Sequence, residues 1–231
     1  LGRGQTLAFQ AMLSSIRSLF TVRFYEPHFF DSPFSFSVDL YNYQQDYDDF
    51  SRGSTGGSLS FGYWITDELM ASISYKLEQV DAQSGGRRGS TPPLANLFDD
   101  GLTSSLRFTI AYDSRDNRML PTDGWYANAS IEHAASYFGS ENEFTRMTFH
   151  GSRYVPLWLG MVLKFNLETG WVFNTRPEGV PIFERFFVGG IFTVRGFRRY
   201  SLGPTVYTGR ERTPEGELYA FNKGGDKQLI L

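Results

Sequence analysis

The sequence predicts an all-β fold, an antiparallel transmembrane β-barrel, and three observations carry that prediction. Apolar and polar residues alternate with period two through nine stretches. The polar face of those stretches carries acids and bases together, as a hydrated barrel lumen would. The connections between them fall into a shorter and a longer set, as in outer-membrane barrels.

The stretches run in order. Leu7, Phe9, Ala11 and Leu13 share one face, then Phe20, Val22 and Phe24 oppose Thr21, Arg23 and Tyr25. Phe34, Phe36, Val38 and Leu40 alternate with Ser35, Ser37, Asp39 and Tyr41, the clearest case in the chain. Leu59, Phe61 and Tyr63 follow, then Ala71, Ile73, Tyr75 and Leu77 opposite Lys76 and Glu78. Downstream, Leu106, Phe108, Ile110 and Tyr112 oppose Arg107 and Asp113, and Trp125, Ala127, Ala129 and Ile131 oppose Glu132. Met147 and Phe149 oppose Arg146 and His150, and Leu163, Phe165, Leu167 and Trp171 oppose Lys164 and Glu168. A soluble sandwich also alternates, but its strands average about five or six residues. These stretches approach the roughly 9–11 residues that cross a bilayer at a tilt. Tyr25, Tyr63, Trp64, Trp125, Tyr154, Trp158 and Trp171 stand at stretch ends, where interfacial girdles form.

Connections 27–33, 65–68, 114–123 and 156–159 form the shorter set. The other set includes 44–55, 82–101 and 174–226, with brief members at 14–17 and 137–142. That asymmetry puts 114–123 in the periplasm and 44–55 and 82–101 outside. Both ends are expected to be cut: the first residues read as a turn into a strand, and Gln228 onward starts a tenth strand. An even-stranded barrel cannot close on nine.

Composition agrees. The 231 residues carry a net charge of -3 with no basic cluster, which argues against nucleic acid as a partner. Aromatics reach 17%, high for a soluble domain, and the 24 glycines are plentiful. No apolar run is long enough for a transmembrane helix, and no Cys is present for disulfide or thiolate–metal chemistry.

Two stretches stand apart from the strand rhythm. In Gly189-Gly190-Ile191-Phe192-Thr193-Val194-Arg195-Gly196-Phe197, glycines permit a tight turn that delivers one planar cationic fork. The plain alternative is a hairpin loop with Arg195 solvated. The second stretch is Tyr112-Asp113-Ser114-Arg115-Asp116-Asn117 followed by Pro121-Thr122-Asp123-Gly124, which also reads as a polar turn. The Asp46, Asp48 and Asp49 group lacks the glycine and terminal Glu of a calcium loop and reads as a solvated outer loop. Gly85-Gly86-Arg87-Arg88 reads as a mobile loop, with lipopolysaccharide phosphate as the competing ligand reading. His28, His133 and His150 are scattered, and a lone lumen His150 reads as a hydrogen-bonded wall residue.

In their order and spacing, the Asp-Ser-Arg-Asp-Asn, Pro-Thr-Asp-Gly and Val-Arg-Gly-Phe motifs resemble the family of bacterial outer-membrane insertases and two-partner-secretion transporters. The resemblance covers essentially the whole chain. It implies a sixteen-stranded barrel preceded by POTRA domains, in which residues 1–173 are strands three to eleven. Residues 174–226 are then the sixth loop, inserted into the lumen, and Gln228 begins strand twelve; the POTRA domains and the gate strands lie outside this sequence. It makes Val194, Arg195, Gly196 and Phe197 the functional loop tip, with Arg195 pairing an acid on a later strand, Gly196 permitting the turn and Phe197 packing it. Asp113, Arg115, Asp116 and Gly124 become structural motif positions.

The function so implied is insertion of β-barrel proteins into the bacterial outer membrane, with no enzyme activity, no metal and no cofactor. The implied partners are nascent outer-membrane proteins, accessory lipoproteins of the assembly complex, and outer-membrane lipid and lipopolysaccharide. A transporter exporting one soluble partner is the alternative within the same family. A passive porin and an outer-membrane hydrolase are alternatives of other classes, the second lacking a Ser, His and acid constellation.

Overall fold

The computed structural model describes residues 4–47, 50–84, 100–174, 179–191, 193–212 and 218–230. Ten strands form one sheet, ordered β1(Thr6–Leu13), β2(Arg17–Glu26), β3(Phe34–Asp46), β4(Phe50–Trp64), β5(Leu69–Ser84), β6(Gly101–Asp113), β7(Gly124–Ala134), β8(Phe144–Pro156), β9(Val162–Phe173) and β12(Lys227–Ile230). Each neighbouring pair is antiparallel. The remaining two, β10(Thr205–Arg212) and β11(Leu218–Asn222), pair with each other inside the long connection between β9 and β12.

Register fixes the two faces. Val38 lies opposite Leu59, which lies opposite Tyr75, which lies opposite Leu106, so each apolar row continues across the sheet. The apolar face is bare: Phe9 is 74% and Phe165 58% exposed, with Leu7, Phe20, Leu40, Phe61, Ile73 and Phe108 also exposed. A face of this extent far exceeds the few hundred Å² that a water-soluble monomer leaves open. Lipid is the solvent that such a face fits.

The opposite face is where burial occurs. One apolar cluster joins Phe50, Val80 and Ala82 of the wall to Ile182 and Phe183 of the connection. A second joins Ala134, Phe144 and Val172 to Val180. The connection after β9 therefore folds back over the polar face.

Short turns close one end of the sheet. In two of them a residue other than glycine takes left-handed backbone, Phe30 at φ 52° and Leu159 at φ 62°. Asp31 follows Phe30 at φ 56°.

Three expectations need correction. Most of 44–55 is strand and not loop, because β3 runs to Asp46 and β4 starts at Phe50. The Gly and Ser content there speaks against a strand, but Phe50 and Arg52 are covered from above by Ile182 and Phe183, and the ladder extends under that cover. The 174–226 connection is not wholly a loop, since it holds a hairpin and a short 3-10 turn over Ile182–Glu184. Tyr25 and Tyr154 do not join the outward girdle: Tyr25 pairs with Ser37, and Tyr154 lies under Lys164, both on the inner face. The tenth strand is where it was expected, with Gln228 opposite Gly170.

Candidate functional site: an inner-wall dock for the long connection

The sequence places charges on inner-face positions of successive strands, and the register brings them together. Lys76 on β5 reaches Glu78 at 2.9 Å and Glu132 of β7 at 3.0 Å. Arg52 on β4 lies 3.4 Å from Glu78. Glu132 also accepts from Ser105 at 2.7 Å and from the Arg107 guanidinium. Tyr41 on β3 donates to Glu78 at 2.8 Å across Gly56. A Cβ on Gly56 would sit 2.6 Å from the Glu78 Cβ, so only glycine leaves room for that bond.

Within this network the wall supplies four cations (Arg52, Lys76, Arg107 and Arg146) but two carboxylates, Glu78 and Glu132. The third carboxylate comes from the connection. Glu184, 2% exposed, accepts from Arg146 of β8 at 2.9 Å and stands 4.0 Å from Arg52 of β4. It thus ties the connection to strands four apart in the sheet. Carboxylates buried this deeply persist only when paired and hydrogen-bonded.

Apolar contacts frame the charge. The Arg52 guanidinium lies 5.1 Å over the Phe183 ring and that of Arg146 5.1 Å over Phe186. The Phe186 ring occupies the space above Gly170, where a Cβ would come within 2.5 Å of it. Phe186 also exchanges two backbone bonds with Gly225, at 2.9 and 2.8 Å, which ties the start of the connection to its end. Burial of Val180, Ile182 and Phe183 contributes about 1.5–3 kcal/mol each as an upper bound.

The Val194, Arg195, Gly196 and Phe197 tip follows this dock. It is a compact turn, as expected: Gly189, Gly190 and Gly196 have φ of 120°, 103° and 88°. Gly189 donates to the Thr193 hydroxyl at 2.8 Å, and a Cβ on it would meet the Arg198 carbonyl at 2.5 Å. Arg195 is exposed. Phe197 is 53% exposed and does not pack the tip. Tyr200, at φ 59°, does so instead, its ring 5.3 Å from Tyr47 and 6.0 Å from Phe187.

Asp113, Arg115, Asp116 and Gly124 lie at the opposite end of the sheet, in the β6–β7 turn, so the two motifs are not brought together. Arg115 grips Asp113 with two parallel bonds of 2.8 and 2.9 Å and lies 4.7 Å over Tyr126. Asp116 accepts from the amides of Thr122 at 2.9 Å and Asp123 at 3.1 Å, and from the Thr122 hydroxyl. Those donors, the hydroxyl foremost, hold the Asp116 carboxyl below the usual carboxylate range, and the Asp113 bond raises Arg115. Gly124 has φ 111°, and a Cβ there would lie 2.3 Å from the Ser114 carbonyl.

His150 bonds Asn166 at 2.9 Å and is a wall residue. Asp48, Asp49 and residues 85–90 lie outside the described residues. Sequence reasoning missed Glu184, Arg52 and the inward role of Ile182 and Phe183. A signal was present: Ile182-Phe183 and Phe186-Phe187 bracket Glu184 in a connection otherwise read as polar.

Comparison with known proteins agrees with this architecture. The family described as the Omp85 superfamily domain matches residues 1–223. The SAM50-like protein CG7639 of Drosophila melanogaster is 30% identical over 226 residues, 94% of this chain and 49% of that protein. The outer membrane protein assembly factor BamA of Nitratidesulfovibrio vulgaris is 24% identical over 230 residues, all of this chain and 28% of that protein. The chain therefore spans about half or less of the curated relatives it matches. The crystal structure of BamA from Haemophilus ducreyi lacking POTRA domains 1-3 superposes with a TM-score of 0.81 at 18% identity, covering 99% of this chain and 46% of that one. On the family match over nearly its full length, this outer-membrane β-barrel chain belongs to the Omp85 superfamily.

Proposed function

We propose that the protein carrying this chain is the central insertase of a bacterial outer-membrane assembly machinery, folding β-barrel clients into the membrane. The observation that carries the proposal is agreement between two relatives. A BamA named as an outer membrane protein assembly factor and SAM50 proteins named for sorting and assembly both match nearly all of this chain. Its clients are nascent outer-membrane proteins, and accessory lipoproteins, outer-membrane lipid and lipopolysaccharide are its other partners. The work is done by positioning strands and lipid, without an enzymatic step or cofactor.

In this proposal the 174–226 connection is the sixth loop of a sixteen-stranded barrel whose strands three to eleven are β1 to β9. Glu184 seats its base on the inner wall. Arg195 then reaches an acid on a strand after residue 231. The test is depletion of the full-length protein in its native cell, with folded outer-membrane proteins and secreted proteins measured together. A broad fall in folded barrel proteins is expected. Loss of one secreted protein, with barrel proteins intact, would assign the chain to the exporting branch instead.

A further inference from the structure

The short-turn end of the sheet carries a feature that the inner-wall dock does not explain. Glu26, the last residue of β2, lies opposite Phe36 and follows the parity of Phe24, so it faces outward with the lipid-facing residues. Yet it is 8% exposed, and it lines an outward cavity of about 720 Å³. Among the described residues its one side-chain hydrogen-bond partner is the neutral amide of Gln5. Among the described residues no Lys, Arg or His lies within ion-pair distance of Glu26.

Aromatic rings wall the cavity. The turn after β2 folds against the outward face, placing Phe29 4.8 Å from Phe36 and 5.9 Å from Phe61. Phe30 stands edge-on to Phe29 at 4.4 Å and is 89% exposed, held out by its left-handed backbone. Asp31 and His28 also line it. A carboxylate on this face, under aromatic rings and with no cation beside it among the described residues, lacks the group that would neutralise it. Aromatic faces and a carboxylate together are the chemistry that holds an ammonium group. The level is also right, because the cavity lies at the strand ends, where headgroups begin, and its apolar side continues into the lipid-facing row of Phe24 and Phe36.

We propose that this cavity binds the ammonium headgroup of a zwitterionic phospholipid, with ethanolamine as the commonest form, on the membrane leaflet at the short-turn end. The ammonium sits against Glu26 and the Phe29 and Phe30 rings, and the acyl chains run along Phe24 and Phe36. The site depends on the outer-membrane barrel and not on which clients the protein folds.

The test uses the full-length protein in nanodiscs of phosphatidylethanolamine and phosphatidylglycerol, with retained lipid read by native mass spectrometry after mild delipidation. Wild type is expected to keep phosphatidylethanolamine in preference to phosphatidylglycerol. Glu26→Gln, of the same shape, is expected to lose that preference by about tenfold, the scale of one charge-assisted contact. Phe30→Ala removes an exposed ring and is expected to weaken retention while the barrel still shows its heat-modifiable mobility. If Glu26→Gln does not fold, Phe30→Ala decides alone. Unchanged phosphatidylethanolamine retention in the folded variants would overturn the proposal. So would equal retention of both lipids by wild type, or a lysine-bearing protein segment occupying the cavity in place of lipid.

Discussion

Replacing Glu184 by Ala should release the long connection from the inner wall. The carboxylate is 2% exposed and is shared between Arg146 at 2.9 Å and Arg52 at 4.0 Å. Removal leaves the two cations unequal. Arg52 keeps Glu78 at 3.4 Å, whereas Arg146 has no second carboxylate among the described residues; the Nε of each is buried without a hydrogen-bond partner among those residues. Breaking a buried pair by deleting one partner costs about 3–5 kcal/mol, and the surviving Arg52–Glu78 pair puts this case near 3 kcal/mol. Glu184→Gln retains an acceptor for Arg146 but not the charge, so its cost should be smaller. The assay is urea denaturation of the full-length barrel in detergent, followed by heat-modifiable mobility, together with limited proteolysis of 174–226. Expected are a lower midpoint and faster cleavage within the connection, ordered Ala before Gln before wild type. Equal midpoints and equal cleavage in all three proteins would refute the view that Glu184 seats the connection.

Three further outcomes follow from the same geometry. Leu40→Arg puts a charge into lipid and should reduce folded yield far more than Ser37→Arg, which faces the lumen, by about 2–4 kcal/mol near the midplane and less near the interface; equal yields would contradict the register in which Leu40 lies opposite Val22 and Gly57 on the outward face. Gly124→Ala must accept φ 111° and a contact with the Ser114 carbonyl, so the β6–β7 turn should lose about 1–3 kcal/mol, read as faster amide exchange at Thr122 and Asp123. The Asp116 carboxyl lies below its unfolded value of about 3.9, so the stability it gives the turn is present above that pH and is lost as pH falls through the folded value. Amide protection at Thr122 and Asp123 should therefore survive to lower pH than an ordinary Asp titration allows, and Asp116→Asn should abolish the dependence.

Strand faces were legible because period two leaves a single choice of side once one residue is placed. Phe34, Phe36, Val38 and Leu40 alone orient β3, and pairing carries that orientation to β2 and β4. Strand length was less legible. The sequence around Arg52, Gly53, Ser54, Gly56 and Gly57 holds few side chains with strand preference, and it is covered by Ile182 and Phe183, about 130 residues away. The same separation hid the dock. Nothing local to Glu184 reveals that Arg146 and Arg52 converge on it, because that convergence is set by sheet register and the return path of the connection. The tip was legible as a turn through Gly189, Gly190 and Gly196, whereas the packing of Tyr200 in place of Phe197 depends on backbone direction after Gly196. The Asp113–Gly124 turn was the most legible part, since its bonds run almost entirely within a dozen residues.

Reconstitution tests the central claim most directly. The full-length protein is placed in phospholipid vesicles, an unfolded β-barrel client is added, and the heat-modifiable folded client is followed with time. The proposed function predicts folding faster than in empty vesicles and slowed by Glu184→Ala in correctly folded protein. A client that folds at the same rate with and without the protein would contradict it.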